Sequence, residues 1–143
     1  MSRDWAQLAQ DLERFLKLKS LPFGMKLFER EQDMLAIPKI RRPKAVHALD
    51  QLVGQAARLG WTLGVTPDNL YGAQCRAVVG LGHAKDAEWR SGQSMVGVWY
   101  MTAQDAAAHQ GAMHCVDDGR FEALAISPLA SGRLDPPDIV LFY

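Results

Sequence analysis

Six side chains that could bind or react with a small molecule lie in the first 75 residues. They provide two cations, an imidazole, an amide, a phenol and a thiol, and they are Lys26, Arg41, His47, Asn69, Tyr71 and Cys75. Cations and hydrogen-bond donors suit a ligand that carries a carboxylate or another anionic group. The turn at residues 66–75 follows a predicted rigid element, so we expect any ligand pocket to lie around that turn.

The cationic candidates also have ordinary structural interpretations. Lys26 lies in an alternating segment on the side opposite Met25 and Leu27, where water is the expected neighbour. The basic segment at residues 39–44 either captures a carboxylate or phosphate or is a solvated connector, and the sequence leaves both interpretations open. Its four cations are too few to predict DNA or RNA binding without flanking aromatic residues.

The cysteine and histidine residues form no recognisable catalytic or metal-binding motif. Arg76 beside Cys75 could activate the thiol, but free cysteine is among the most buried residue types, which favours a packing role. The possible metal ligands show neither C-x-x-C nor H-E-x-x-H spacing, and they are His47, Cys75, His83, His109, His114 and Cys115. Because catalytic zinc needs about three converging ligands, no metal site is expected, and the sequence identifies no cofactor.

Length and composition predict one globular domain over residues 1–143. The chain has 143 residues, 48% of them hydrophobic and 22% charged, as in an ordinary globular domain. It carries 16 basic and 16 acidic residues, and this neutrality argues against general nucleic-acid binding, which needs a broad basic surface. The sequence shows no apolar run of about 18 residues and no signal peptide, so we expect a cytoplasmic protein that does not enter a membrane.

Apolar periodicity predicts three main helices. The first runs from Asp4 to Lys19 with Ser2 as its N-cap. The second runs from Ala45 to Leu59 and ends at Gly60. The third is alanine-rich and follows Thr102. Together they would supply the helical layer of the fold.

Strand-like segments alternate with these helices. They are predicted at residues 23–29, 61–65, 75–81, 96–101, 121–127 and 138–143. Thr66 and Pro67 predict a further helix start, and residues 29–33 predict a loop. Because the elements do not follow a strict βαβ order, the expected class is α+β, with helices packed on a mixed or antiparallel sheet of about five strands. The last strand is apolar, and we expect another chain to pair with it.

Five short segments form a series along the chain. They are L-P-F-G-M-K-L-F at 21–28, the A-x-x-x-G helix end at 56–60, T-P-D-N-L-Y-G-A at 66–73, G-L-G at 80–82 and D-P-P-D-I-V-L-F-Y at 135–143. This series resembles the N-terminal part of the domain-of-unknown-function 169 family, a group of uncharacterised bacterial and archaeal proteins. Members that resemble this chain usually carry cysteines where it has Val46-His47 and Leu70-Tyr71. They also continue beyond the last segment.

The resemblance therefore implies a shortened relative that lacks any metal or thiol chemistry those cysteines perform. The expected function is that of an accessory, non-catalytic subunit of a larger cytoplasmic enzyme assembly, with another protein or a second copy as its partner. The alternative is a binding protein or enzyme for a small anionic ligand, with its pocket around the 66–75 turn. The sequence does not decide whether the chain is itself an enzyme.

Overall fold

The computed structural model describes residues 4–142, apart from the side chain of Glu88. Its contacts group into two compact units, one containing residues up to Tyr71 and from Glu122 onward, the other spanning Gly72–Phe121. The described residues form six α-helices and a four-stranded antiparallel sheet, which confirms the α+β class. The assignment of residues 1–143 to one domain stays a prediction.

The sheet belongs to the first unit and has the strand order β2-β3-β1-β4. Its strands are β1 (Phe23–Phe28), β2 (Leu63–Val65), β3 (Ala123–Pro128) and β4 (Ile139–Leu141). All three strand pairs are antiparallel, so the sheet is not mixed. Within the described residues β2 and β4 are therefore the two edge strands. Tyr143, the predicted end of the last strand, lies outside those residues.

Small residues on one face of β3 allow close packing against α2 (Glu31–Leu35). Ala123 and Ala125 are fully buried and belong to one core cluster with Met34. Gly64 of β2 lies opposite Ala125, and a Cβ atom added there would stand only 2.7 Å from Met34 Sδ. Glycine and alanine are thus the residues that let α2 lie close to the sheet.

Hydrogen bonds determine where two further helices of the first unit begin. In α1 (Trp5–Leu16) the Asp4 carboxylate accepts a hydrogen bond from the Gln7 N–H at 3.0 Å, while Ser2, the predicted cap, lies outside the described residues. The other helix, α3 (Leu49–Leu59), begins four residues later than predicted. The reason is that the backbone of His47 pairs with residues 69–71 and is unavailable to the helix.

The second unit contains α4 (Ala73–Val78), α5 (Ala87–Ser91) and α6 (Ala103–Ala112). The strand predicted at 75–81 is wrong, because most of that segment forms α4. Ala73 and Ala77 are four residues apart on one helical face and pack with Trp89. Alanine has the highest helix propensity, and this preference outweighs the strand tendency of the valines that follow.

The strand predicted at 96–101 is also wrong, because that segment forms a turn in the second unit. Gly97 adopts a φ of 75°, a conformation that glycine tolerates better than other residues. Its N–H donates to the Tyr100 carbonyl at 2.9 Å, so the backbone folds back on itself. Trp99 and Met101 are left 75% and 90% exposed. The hydrophobicity of this segment therefore reflects an exposed turn rather than a buried strand.

The predicted start of the alanine-rich helix is confirmed. The Thr102 hydroxyl accepts a hydrogen bond from the Asp105 N–H at 3.2 Å and donates to the Asp105 carboxylate at 2.7 Å. This arrangement satisfies one of the free N–H groups at the start of α6.

Candidate functional site

Arg41 covers the outer edge of β2. Its N–H donates to the Thr62 carbonyl at 2.8 Å, and its carbonyl accepts from the Gly64 N–H at 2.9 Å. The Arg41 guanidinium carbon lies 4.4 Å from the centre of the Trp61 ring, which is a cation–π distance. The basic segment is thus attached to the sheet through its backbone, while the Arg41 side chain lies on an aromatic face.

His47, Asn69 and Tyr71 are brought together by backbone pairing beyond β2. The His47 N–H donates to the Asn69 carbonyl at 3.1 Å, and the His47 carbonyl accepts from the Tyr71 N–H at 2.8 Å. The His47 Nδ1 lies 2.8 Å from the Ala45 carbonyl. Because a carbonyl can only accept, Nδ1 carries the proton in this contact. The Tyr71 side chain is exposed, whereas the imidazole of His47 is engaged locally.

Lys26 and Cys75 take no part in this backbone pairing. The Lys26 Nζ donates to the Pro136 carbonyl at 2.7 Å, in the segment that leads into β4. In the sheet, β3 separates β1, which carries Lys26, from β2, which Arg41 covers. Cys75 lies in α4 of the second unit. In the first unit, Arg41 and His47 therefore lie on one segment, which pairs with the backbone of residues 62–71. Asn69 and Tyr71 lie at the end of that paired backbone. A ligand-binding role for the six residues stays a prediction.

Asn69 has a structural role that can be tested by mutation. Its Oδ1 accepts a hydrogen bond from the Thr66 N–H at 2.7 Å, which closes the turn at residues 66–69. We expect Asn69→Ala to lower the free energy of unfolding by about 1 kcal/mol, the usual cost of losing a capping side chain. Asn69→Asp keeps the acceptor oxygen and should lose less. Urea unfolding of the two variants measures the difference, and equal losses would contradict this role.

Four residues that the sequence did not single out form a partly buried polar cluster in the first unit. Arg133 Nη1 donates to Thr62 Oγ1 at 2.7 Å, and Thr62 Oγ1 lies 2.8 Å from Ser127 Oγ. Ser127 Oγ lies 2.8 Å from Ser131 Oγ, which in turn accepts from the Arg133 N–H at 3.2 Å. We call this closed ring of hydrogen bonds the Arg133 cluster.

Sequence reasoning missed the Arg133 cluster because its members are far apart in the chain. Thr62 and Arg133 are separated by 71 residues, and they meet only because Thr62 and Ser127 extend the antiparallel register of β2 with β3. One local signal was present: the segment S-P-L-A-S-G-R at 127–133 places two hydroxyls and an arginine around a glycine turn. That pattern alone does not indicate that the three side chains converge.

Clusters of metal-binding side chains and membrane-spanning helices are both absent from the part of the chain that the structure describes. Among residues 4–142 no group of three or more histidine, cysteine, aspartate or glutamate side chains could hold a metal ion. In the same range no helix combines the length and the apolar character that crossing a bilayer requires.

Comparison with known protein families gives the same family as the five short segments of the sequence. The model of the DUF169 family, described as Uncharacterised ArCR, matches residues 11–143. The chain belongs to the DUF169 family. The resemblance is thus confirmed over nearly the whole chain. No curated protein and no solved structure matches it, so a function for this DUF169 protein has to be argued from its geometry.

Proposed function

We propose that this DUF169 protein is an accessory, non-catalytic subunit of a larger cytoplasmic enzyme assembly, and that it binds its partner chain through β4. The proposal depends mainly on the one-sided pairing of this strand. β4 pairs with β1, and within residues 4–142 no strand pairs with its outer side. Unpaired N–H and C=O groups at such an edge are a template for a strand of another chain.

The side chains at this edge also favour association. Ile139, Leu141 and Phe142 are 37%, 39% and 47% exposed, and residues 139–142 contain no charge that would discourage pairing. The nearest carboxylate, that of Asp138, accepts a hydrogen bond from the Leu27 N–H of β1 at 2.7 Å. An exposed apolar strand without such protection is a typical site of protein–protein contact.

The opposite edge of the sheet provides an internal comparison. There, the backbone of Arg41 forms hydrogen bonds to both Thr62 and Gly64, so the outer side of β2 is occupied by the chain itself. The chain thus covers one edge of its sheet with a basic segment, while β4 keeps an uncovered side within the described residues. This asymmetry favours β4 as the binding edge.

A non-catalytic role is supported by what the candidate polar side chains do. The Asn69 amide oxygen closes a turn, the Lys26 ammonium binds a backbone carbonyl, and the His47 imidazole contacts the carbonyl of Ala45. Each of these contacts stabilises the backbone of the chain itself. The three side chains therefore have structural roles that require no substrate.

Placing a charge on the β4 edge tests the proposal. We expect the wild-type chain, purified under native conditions from its own cells, to travel in a complex larger than its own 15.8 kDa. Leu141→Lys places a charge in the proposed interface and should weaken binding of the partner about tenfold or more. A tenfold loss of affinity corresponds to about 1.4 kcal/mol of binding free energy. Native mass spectrometry measures the complex and shows whether the partner is a different protein or a second copy.

The matched control is Leu59→Lys. Leu59 lies at the end of α3 and is 53% exposed, so the same change of side chain is made on another surface of the same unit. This variant should retain the complex. A wild-type chain that stays a monomer with no recovered partner would refute the proposal, as would equal loss of the complex in both variants.

A further inference from the structure

The Arg133 cluster contains more hydrogen-bond donors than acceptors. A guanidinium has five N–H donors, and the contacts within residues 4–142 use one of them, on Thr62. No carboxylate among those residues lies within ion-pair distance of Arg133. Arg133 is half-buried, and its guanidinium keeps four N–H donors that have no acceptor among the described residues.

The three hydroxyls of the cluster add one more donor. Each has one proton, and the two hydroxyl–hydroxyl contacts of the ring consume two of the three. Thr62 and Ser127 are each 1% exposed, so an unused proton on either would be buried without an acceptor, at a cost of about 1–3 kcal/mol. The favourable order is therefore Thr62 to Ser127 to Ser131, which leaves the hydroxyl proton of the half-buried Ser131 directed out of the ring.

A second set of cations belongs to the neighbouring basic segment. The basic segment passes beside the cluster, because the Arg41 N–H donates to the carbonyl of Thr62. Within this segment Arg42 pairs with Glu31 at 2.8 Å. Among the described residues, no carboxylate lies within ion-pair distance of Lys39, Arg41 or Lys44. These three cations of the neighbouring segment thus have no carboxylate partner in the described part of the chain, independently of what binds at β4.

We propose that Arg133 and Ser131 bind an oxyanion, supplied by the phosphate or the carboxylate of a small molecule or metabolite. The planar fork of an arginine matches two oxygens of either group, and the Ser131 hydroxyl donates to a third or to one of the same oxygens. Thr62 and Ser127 act as positioning residues: they hold the guanidinium and the Ser131 hydroxyl in one orientation. This site differs from the pocket expected around the 66–75 turn.

Nuclear magnetic resonance of the full chain tests this site directly. The Nε–H resonance of Arg133 is followed while sodium phosphate, and separately sodium succinate, replaces sodium chloride at constant ionic strength and pH. We expect a saturable shift of this resonance with at least one of the two anions. The resonance of Arg58, an exposed arginine on α3, should not show a saturable shift. A response to phosphate alone identifies a phosphate site, and a response to succinate alone identifies a carboxylate site.

Variants establish which groups bind. Arg133→Gln should abolish the response, measured by the anion-dependent rise in unfolding temperature. Arg58→Gln should leave it unchanged. Ser131→Ala should weaken binding about tenfold, the loss expected for a hydrogen bond to a charged group. If Arg133→Gln does not fold, the shift of the Arg133 Nε–H resonance in the wild-type chain still shows whether the anion binds there. No saturable shift, or a thermal response that survives in Arg133→Gln, would overturn the proposal.

Discussion

Replacing Gly92 with alanine should destabilise the second unit by about 2–5 kcal/mol, the sum of backbone strain and overpacking. Gly92 ends α5 with a φ of 71°, a conformation that costs about 1–2 kcal/mol for a residue with a Cβ atom. The new Cβ would also stand 2.5 Å from the Ala107 backbone N and would meet the Ala103 carbonyl. Because both are backbone atoms of α6, that helix would have to move.

Gly97→Ala provides the matched control for this prediction. Gly97 has nearly the same φ, 75°, but an added Cβ atom would have no neighbour within 4 Å. The control variant should therefore lose only about 1–2 kcal/mol, the cost of backbone strain alone. Urea unfolding and amide exchange of α6 measure both variants. Equal losses would show that backbone strain alone accounts for the effect at Gly92, which would contradict the close approach of α5 and α6.

Replacing Phe23 with alanine should lower the free energy of unfolding of the first unit by about 3–5 kcal/mol. Phe23 begins β1, is 2% exposed, and lies opposite Pro128 on one side and Leu141 on the other. Its removal would leave a cavity at the point where β3, β1 and β4 meet. Since domains are stable by only about 5–15 kcal/mol, this single change would remove a large part of the total.

Phe15→Ala is the same change of side chain on a surface. Phe15 lies on α1, is 73% exposed, and has the Arg14 guanidinium 5.4 Å from its ring centre. We expect a loss of about 0.5 kcal/mol or less, as for most surface substitutions. The two urea midpoints give the comparison. Similar losses in the two variants would contradict the burial of Phe23 in the core.

Local patterns were sufficient for elements that carry their own start and stop signals. The apolar periodicity and Gly60 predicted the end of α3, and Gly60 adopts the left-handed conformation expected there, with a φ of 67°. The alternation after Pro22 predicted β1 almost to the residue. In both cases the local sequence carries the signal, although the hydrogen bonds of β1 are made to the distant strands β3 and β4.

Elements that depend on distant residues were misjudged. The loop predicted at residues 29–33 is largely α2, whose first N–H, that of Glu31, donates to the Glu122 carboxylate at 2.9 Å. This cap comes from 91 residues away. The start of α3 moved for a similar reason, because His47 pairs with Asn69 and Tyr71 instead of joining the helix. Such long-range hydrogen bonds override local propensity and leave no local pattern.

The candidate site shows the same limit. Residue type alone indicated Arg41, His47, Asn69 and Tyr71, and pairing of the backbone does bring these four along one segment. Residue type did not indicate that the side chains of His47 and Asn69 would form hydrogen bonds to nearby backbone groups. Arg133 lies in an irregular segment without a recognisable motif, so residue type did not indicate it. Its contacts with hydroxyl groups arise because β2, β3 and the turn at residues 129–133 meet at this point.

The two proposals can fail separately. A chain that binds an oxyanion at Arg133 but remains a monomer would refute the subunit role and leave the anion site intact. A chain that forms a complex through β4 but shows no response to anions would refute the anion site and leave the subunit role intact. Leu141→Lys and Arg133→Gln are therefore best examined in both assays.

Amide hydrogen exchange of β4 tests the central claim most directly. Exchange at residues 139–141 is compared between the isolated chain and the native complex, with β2 (Leu63–Val65) as the internal reference because Arg41 already covers that edge. We predict that β4 exchanges markedly more slowly in the complex, while β2 changes little. If a complex forms and the exchange of β4 stays the same, the partner binds elsewhere and the proposed role of this edge is wrong.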